Sequence, residues 1–316
     1  MARPWLYSFL LWGSICALLF QSVSSCDDHP SHDALISLIS THVPADVKEC
    51  LGWRTPVDIL SALMQPRYLQ WMELFCGTGT LSNALFQELP RGRSVDVVVG
   101  DQDHNILTPA GFGMILLWCL ALVPYGLAWF APPCSLWVFL SAGVHKRSML
   151  RPSGDTSRLD VRQCNMIVDR CCLLMRILTL RAVQWICEQP VTSLLFHYAS
   201  FMRLRTLKLR ISHAPLERRF LWLGAWGGDI PKPTALWGIS PLLRMLHSKR
   251  PARAKPSVKT TTKKIIIKNG KPREVYRIYG VRQTLKRSQC YPQVFCKEVA
   301  HKFKMIYSRS LLEIFK

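Results

Sequence analysis

Between Tyr68 and about Trp237, apolar runs of strand length alternate with segments whose apolar residues recur at helical spacing. The runs Trp71 to Phe75, Val95 to Val99, Gly126 to Phe130 and Val183 to Cys187 predict strands. Leu81 to Leu89, Gly111 to Leu122 and Asp160 to Leu180 predict the helices between them. Strands that alternate with helices build a parallel sheet with helices on both faces, so the expected class is α/β. Ahead of this region, Cys26 to Gln65 reads as short helices and loops, with Leu35, Ile36, Leu38 and Ile39 at helical spacing. The stretch from Gly111 to Val144 is nearly free of charge and admits two readings, a membrane span or buried elements of the sheet. Pro124, Gly126 and Pro132-Pro133 cut it into a helix, a turn, a strand and a loop. A strand covered on both faces is apolar throughout, which favours the buried reading.

The chain ends carry different patterns. Arg3 precedes an apolar run from Trp5 to Phe20, and Gln21 to Ser25 is small and polar. Residues 1–25 therefore have the layout of a secretory signal peptide, cleaved before Cys26, or of an uncleaved anchor that would hold the chain to a membrane. The 12 cysteines do not support a disulfide framework, because cleavage would leave an odd number and several lie inside apolar segments. A signal-like start implies the secretory route or an organelle reached through it, whereas reduced thiols suit a reducing compartment such as the nucleus. Asp27, Asp28, His29, His32 and Asp33 read as an exposed amino terminus rather than a metal site.

Charge changes the picture near the other end. With 41 Lys and Arg against 20 Asp and Glu, the formal charge of +21 over 316 residues draws the protein to polyanions. From Arg244 to Arg273 there is no acidic residue. Within this region Lys264 to Lys268 and Glu274 to Ile278 flank Asn269-Gly270, which predicts a two-residue hairpin. Lys263, Lys264, Lys268, Lys271 and Arg273 would make it a phosphate-contacting arm or a solvated hairpin. The expected division is residues 1–25, a helical segment 26–66, a core 67–240, a basic linker and hairpin 241–280, and a segment 281–316 that completes the core.

Four motifs could carry chemistry. Glu73-Leu74-Phe75-Cys76-Gly77-Thr78-Gly79 ends a predicted strand and opens a helix, where glycines let the backbone approach a cofactor. Gly100-Asp101-Gln102-Asp103 follows the second predicted strand and offers Asp101, with Asp103 in reserve, to a ribose. Ala131-Pro132-Pro133-Cys134-Ser135 sets a cysteine on a loop at the carboxyl edge of the sheet. Trp185-Ile186-Cys187-Glu188-Gln189-Pro190 ends a strand in a carboxylate.

These motifs, in this order, resemble those of the DNA cytosine carbon-5 methyltransferases, within the class I S-adenosylmethionine-dependent superfamily. The resemblance runs from Trp71 to Pro292, since Arg287, Gln289, Tyr291 and Pro292 match a late family motif. It implies a Rossmann-like methyltransferase sheet. It also implies S-adenosylmethionine held by Glu73, Phe75, Gly77, Thr78, Gly79, Asp101 and Pro133. Cys134 would be the nucleophile toward carbon 6 of cytosine, Glu188 the acid that polarises the ring, and Arg218 a base contact. Ser135, Leu136, Gln189 and Pro190 depart from the family pattern, and little room remains for a large target-recognition domain. The implied partner is nucleic acid, DNA before RNA. Two rivals stand beside this reading: a nucleic-acid-binding protein on a degenerate methyltransferase fold, and a membrane or secretory-pathway protein with chance motif matches.

Overall fold

A computed structural model of the chain describes residues 32–138, 141–206, 216–228, 232–246, 261–268, 271–278 and 290–314. Segment 1–25, Asn269-Gly270, Arg287, Gln289 and most of the basic linker lie outside the described residues. Six strands form one sheet: β1 (Leu69–Leu74), β2 (Gly92–Val95), β3 (Leu122–Phe130), β4 (Gln184–Pro190), β5 (Glu217–Trp222) and β6 (Pro233–Gly238). Their spatial order is β2-β1-β3-β4-β6-β5. The first four run parallel, and β6 is antiparallel to both of its neighbours. Every residue of β1 is buried, Gln70 and Glu73 included, as its place between β2 and β3 with both faces covered dictates.

Alternation along the strands sorts the core into two layers. Met72, Leu74, Phe130, Trp185 and Cys187 face α1 (His32–His42), α2 (Ala45–Cys50), α3 (Pro56–Leu63), α5 (Pro109–Leu120), α6 (Leu159–Leu180) and α7 (Ala199–Thr206). Trp71, Leu127, Trp129 and Ile186 face α4 (Thr80–Glu88) and α8 (Gln293–Ile314), which contributes Phe295, Val299 and Phe303. The amino-terminal helices thus share the core of the sheet. Thr55 and Asp58 start α3 with a reciprocal capping box, and Pro56 occupies its first turn.

The apolar stretch after Gly111 resolves into α5, which lies in the first layer, and β3, which sits between β1 and β4. Among the described residues no helix is long and apolar enough to cross a membrane. Some of the positive charge is structural. Arg181 donates to the Leu120 carbonyl and Arg67 to the Arg181 carbonyl, each at 2.9 Å, satisfying groups that helix ends leave open. Burial lowers the Arg67 pKa to about 9 and that of Arg181 to about 10.

Three elements differ from the expectation. The second strand is Gly92–Val95, not Val95 to Val99, and Val97–Gly100 forms a helical turn. Asp96 causes the break: its carboxylate accepts from Val98 N at 2.9 Å and from Gly77 N at 3.0 Å, ending the ladder. Gly92 lets the strand approach β1, since a Cβ there would lie 1.9 Å from the Trp71 ring. Strands β5 and β6 were not expected. Glu-Arg-Arg-Phe-Leu-Trp carries the charges of an edge strand, and β6 opens on a proline.

The basic hairpin is a separate two-stranded ribbon, β7 (Thr261–Lys268) against β8 (Lys271–Ile278), antiparallel with Lys268 opposite Lys271. Ile265 and Ile267 are exposed on it. The side chains of Lys263, Lys264, Lys268, Lys271 and Arg273 lie outside the described ones.

Candidate active site

In an open sheet a cavity forms where consecutive strands leave in opposite directions. Here β1 is flanked by β2 on one side and β3 on the other, and a cavity of about 860 Å³ lies beyond their carboxyl ends. Its volume is in the range of sites for small molecules.

One end is the turn from β1 into α4. Phe75, Cys76, Gly77 and Thr78 line it. Gly77 (φ 54°) and Gly79 (φ 69°) are left-handed, and a Cβ on either would meet nothing within 4 Å. Backbone conformation therefore requires glycine here, and crowding does not. Phe75 holds the same region at φ 64° without that freedom, a strain of about 1–3 kcal/mol of the kind found at functional sites. Opposite the turn, Asp96 lines the cavity and its carboxylate is aimed by Gly77 N. The acid at the end of the second strand is thus Asp96. Asp101 and Asp103 fall in the following 3-10 turn because the strand stops at Val95.

Glu73 is not part of the cavity wall. Strand alternation sends its side chain toward α4, where it is fully buried and accepts a hydrogen bond from the Ser82 hydroxyl. Its Oε1 has no hydrogen-bond partner. Burial raises its pKa to about 7, Ser82 opposes the rise, and the Asp96 charge adds to it.

The other end of the cavity carries Pro132, Pro133, Cys134, Glu188, Lys232 and Tyr291. The cysteine loop is anchored from behind. Gln189, fully buried, donates to the Pro132 carbonyl at 2.5 Å and accepts from Ser193 Oγ at 2.9 Å. Gln189 thus ties the Cys134 loop to β4. Cys134 is half-buried. Burial and the Glu188 charge push its thiol pKa up, and Lys232 pulls it back.

Glu188 is 6 % exposed and both of its oxygens face polar groups. Tyr291 Oη donates to Oε2 at 3.3 Å, and Lys232 Nζ stands 3.6 Å from Oε1, an ion pair beyond hydrogen-bond length. Tyr291 in turn accepts from Trp129 Nε1 at 3.1 Å. Burial and Glu188 raise the Tyr291 pKa well above its ordinary value, so the phenol stays protonated and can donate. Lys232 has φ 28°, a second strained non-glycine residue in the wall.

Arg218 is not in this constellation. It lies exposed on β5, its guanidinium 4.0 Å from the Phe220 ring centroid and 5.2 Å from that of Trp237. An edge strand separated from β4 by β6 does not carry it to the cavity. Sequence reasoning missed Asp96 and Lys232. The first had a signal, as the first acid after the shorter strand; Lys232 had none beyond a cation before a proline. Tyr291, given no role in the sequence beyond its place in a late motif, also contacts Glu188.

Chemically, one wall presents a thiol, a carboxylate, an ammonium group and a phenol. A carboxylate and an ammonium group side by side can bond the donor and acceptor edge of a planar ring. A deprotonated thiol within reach can add to an electrophilic carbon. No model of a known protein family matches the chain, and no curated protein matches its sequence.

Proposed function

We propose that this chain is an S-adenosylmethionine-dependent methyltransferase of the DNA cytosine carbon-5 type, built on a Rossmann-like sheet. One observation carries the reading. The glycine turn and the Cys134 and Glu188 motifs, which the resemblance assigns to cofactor and base, line a single cavity at the strand-order switch.

The wall fits the cofactor in its general features. The left-handed turn at Gly77 and Gly79 leaves open space, and Asp96 presents a carboxylate beside it. Phe75, Gly77 and Thr78 would hold the methionine part, Asp96 the ribose hydroxyls, and Pro133 the side toward the base. When bound, S-adenosylmethionine supplies an electrophilic methyl group. Cys134 Sγ would add to carbon 6 of the cytosine and make carbon 5 nucleophilic toward that methyl group; once carbon 5 carries the methyl, loss of its proton to water would expel the thiolate from carbon 6. Glu188, aimed by Tyr291, bonds the pyrimidine edge and shares a proton with it. The cytosine must leave the stack to reach them. The charge of +21 and the basic ribbon supply attraction to the phosphates.

The test is transfer of labelled methyl groups to duplex DNA. Wild type transfers, and Cys134→Ser and Glu188→Gln lose transfer by at least a hundredfold; a Cys134→Ser protein with full transfer would sink the mechanism. A binding role without turnover is the second reading, favoured by the raised Cys134 thiol. Retained DNA binding with no transfer by wild type would select it.

A further inference from the structure

We propose that Lys232 is a positioning residue: its ammonium group offsets Glu188 and allows Cys134 to lose its proton at the cavity wall. Three features of the geometry carry this. First, Cys134, Glu188 and Lys232 line the same cavity, and Lys232 is the one lysine or arginine among the described residues that do so. Second, Lys232 Nζ is 3.6 Å from Glu188 Oε1, close enough to compensate the charge and too far to be spent in a short hydrogen bond. Third, Lys232 holds a left-handed backbone (φ 28°) immediately before Pro233, a conformation that a lysine does not adopt without cost. That backbone sets Lys232 just ahead of β6, in the cavity wall.

The electrostatic consequence follows from what surrounds the sulfur. Glu188 comes from β4, Cys164 from α6, and Cys290 and Tyr291 from the segment ahead of α8, while Asp96, after β2, stands at the other end of the cavity. Each of these is neutral or negative, and His104 lies at the far end, its Nδ1 at the backbone of Asp96. A thiolate at Cys134 would therefore sit beside the Glu188 charge in a partly desolvated wall, with Lys232 the cation that lines the cavity; Arg147, buried behind that wall over the Trp137 ring and near Cys164, does not line it. Glu188 raises the thiol and Lys232 opposes it, in agreement with the geometry. The proton lost from sulfur goes to solvent through the open cavity.

The prediction concerns the thiol itself and does not depend on which ligand the cavity takes. It can be tested on the folded full chain with iodoacetamide, which forms a sulfur–carbon bond with the thiolate as iodide leaves. Peptide-resolved mass spectrometry would follow Cys134 between pH 6 and 10, with the exposed Cys50 as an internal reference. Lys232→Met is expected to slow Cys134 labelling at pH 7 by about tenfold and move its midpoint to higher pH. Glu188→Gln is expected to move the midpoint the opposite way, and Lys232→Arg to leave it near wild type. Cys50 should be unchanged throughout. Lys232→Gln, run alongside, removes the charge while keeping a polar stem, so loss of folding in the Met variant does not decide the matter. Superimposed wild-type and charge-loss profiles would overturn the proposal, as would an alkaline shift in Glu188→Gln. No nucleic acid or methyl donor enters the experiment, so its failure is separable from failure of the methyltransferase reading.

Discussion

Glu73→Gln should make the protein more stable at alkaline pH while leaving it nearly unchanged in mild acid. Glu73 is 0 % exposed, one oxygen is bonded by Ser82, and the other has no partner. Its charge therefore has little to compensate for lost hydration, and burial raises its pKa from 4.5 to about 7. The sign follows from proton counting. Between those two values the folded chain keeps a proton that the unfolded chain has released, so stability falls as pH rises through the window. Below it both states are protonated, and above it both are charged and the loss is complete. The displacement corresponds to about 3 kcal/mol at about 1.4 kcal/mol per unit. Gln keeps the shape and an acceptor for Ser82, but its amide must find a partner where Oε1 has none, so about 2 kcal/mol of net gain at pH 8 is expected. Urea unfolding of wild type and variant at pH 5, 6, 7 and 8 measures the difference curve, in which other titrating groups cancel. A flat difference curve, or a variant less stable than wild type at pH 8, would refute the reasoning.

Three further perturbations probe the frame around the site. Gly92→Ala should cost about 2–3 kcal/mol in unfolding free energy, because a Cβ 1.9 Å from the Trp71 ring displaces an indole that donates to the Leu89 carbonyl. Gln189→Leu should cost about 2 kcal/mol by the same assay and broaden the signals of the Cys134 loop in NMR spectra, since it removes the bonds to Pro132 and Ser193. The single-turnover rate of methyl transfer should climb from pH 7 to 9 without a plateau, as expected of a nucleophile whose thiol pKa lies above its ordinary value; a rate flat over that range would remove Cys134 deprotonation from the mechanism.

The buried centre of the fold was legible in the sequence because burial on both faces leaves a plain signature. Strands β1, β3 and β4, helix α6 and the hairpin all fall close to their apolar runs. The sheet edges were not legible. Val97 and Val98 extend an apolar run that reads as strand, yet Val98 is 82 % exposed and both valines line the cavity. Their hydrophobicity serves the cavity wall, and Asp96 side-chain bonds override the strand preference of valine. Edge strand β5 and its partner β6 pair through the backbone, which leaves little trace in side-chain pattern. For the site, the turn at Gly77 and the Cys134 and Glu188 motifs were legible because each sits at the end of a central strand. Lys232 was not, since it reaches Glu188 across a sequence separation that only the insertion of β6 beside β4 closes. Arg218 was misjudged for the same reason: its position in the chain did not reveal which strand would lie between it and the cavity.

Calorimetric titration of S-adenosylmethionine into the folded protein tests the proposed cofactor site at the turn after β1 most directly. One-to-one binding is expected in wild type. Asp96→Ala should weaken it tenfold or more, as loss of a charged hydrogen-bond partner does. Gly77→Ala should also weaken it through a strained turn, while Asp101→Ala stays within about twofold of wild type. Folded protein that binds no S-adenosylmethionine, or binds it equally well without the Asp96 carboxylate, would contradict the account.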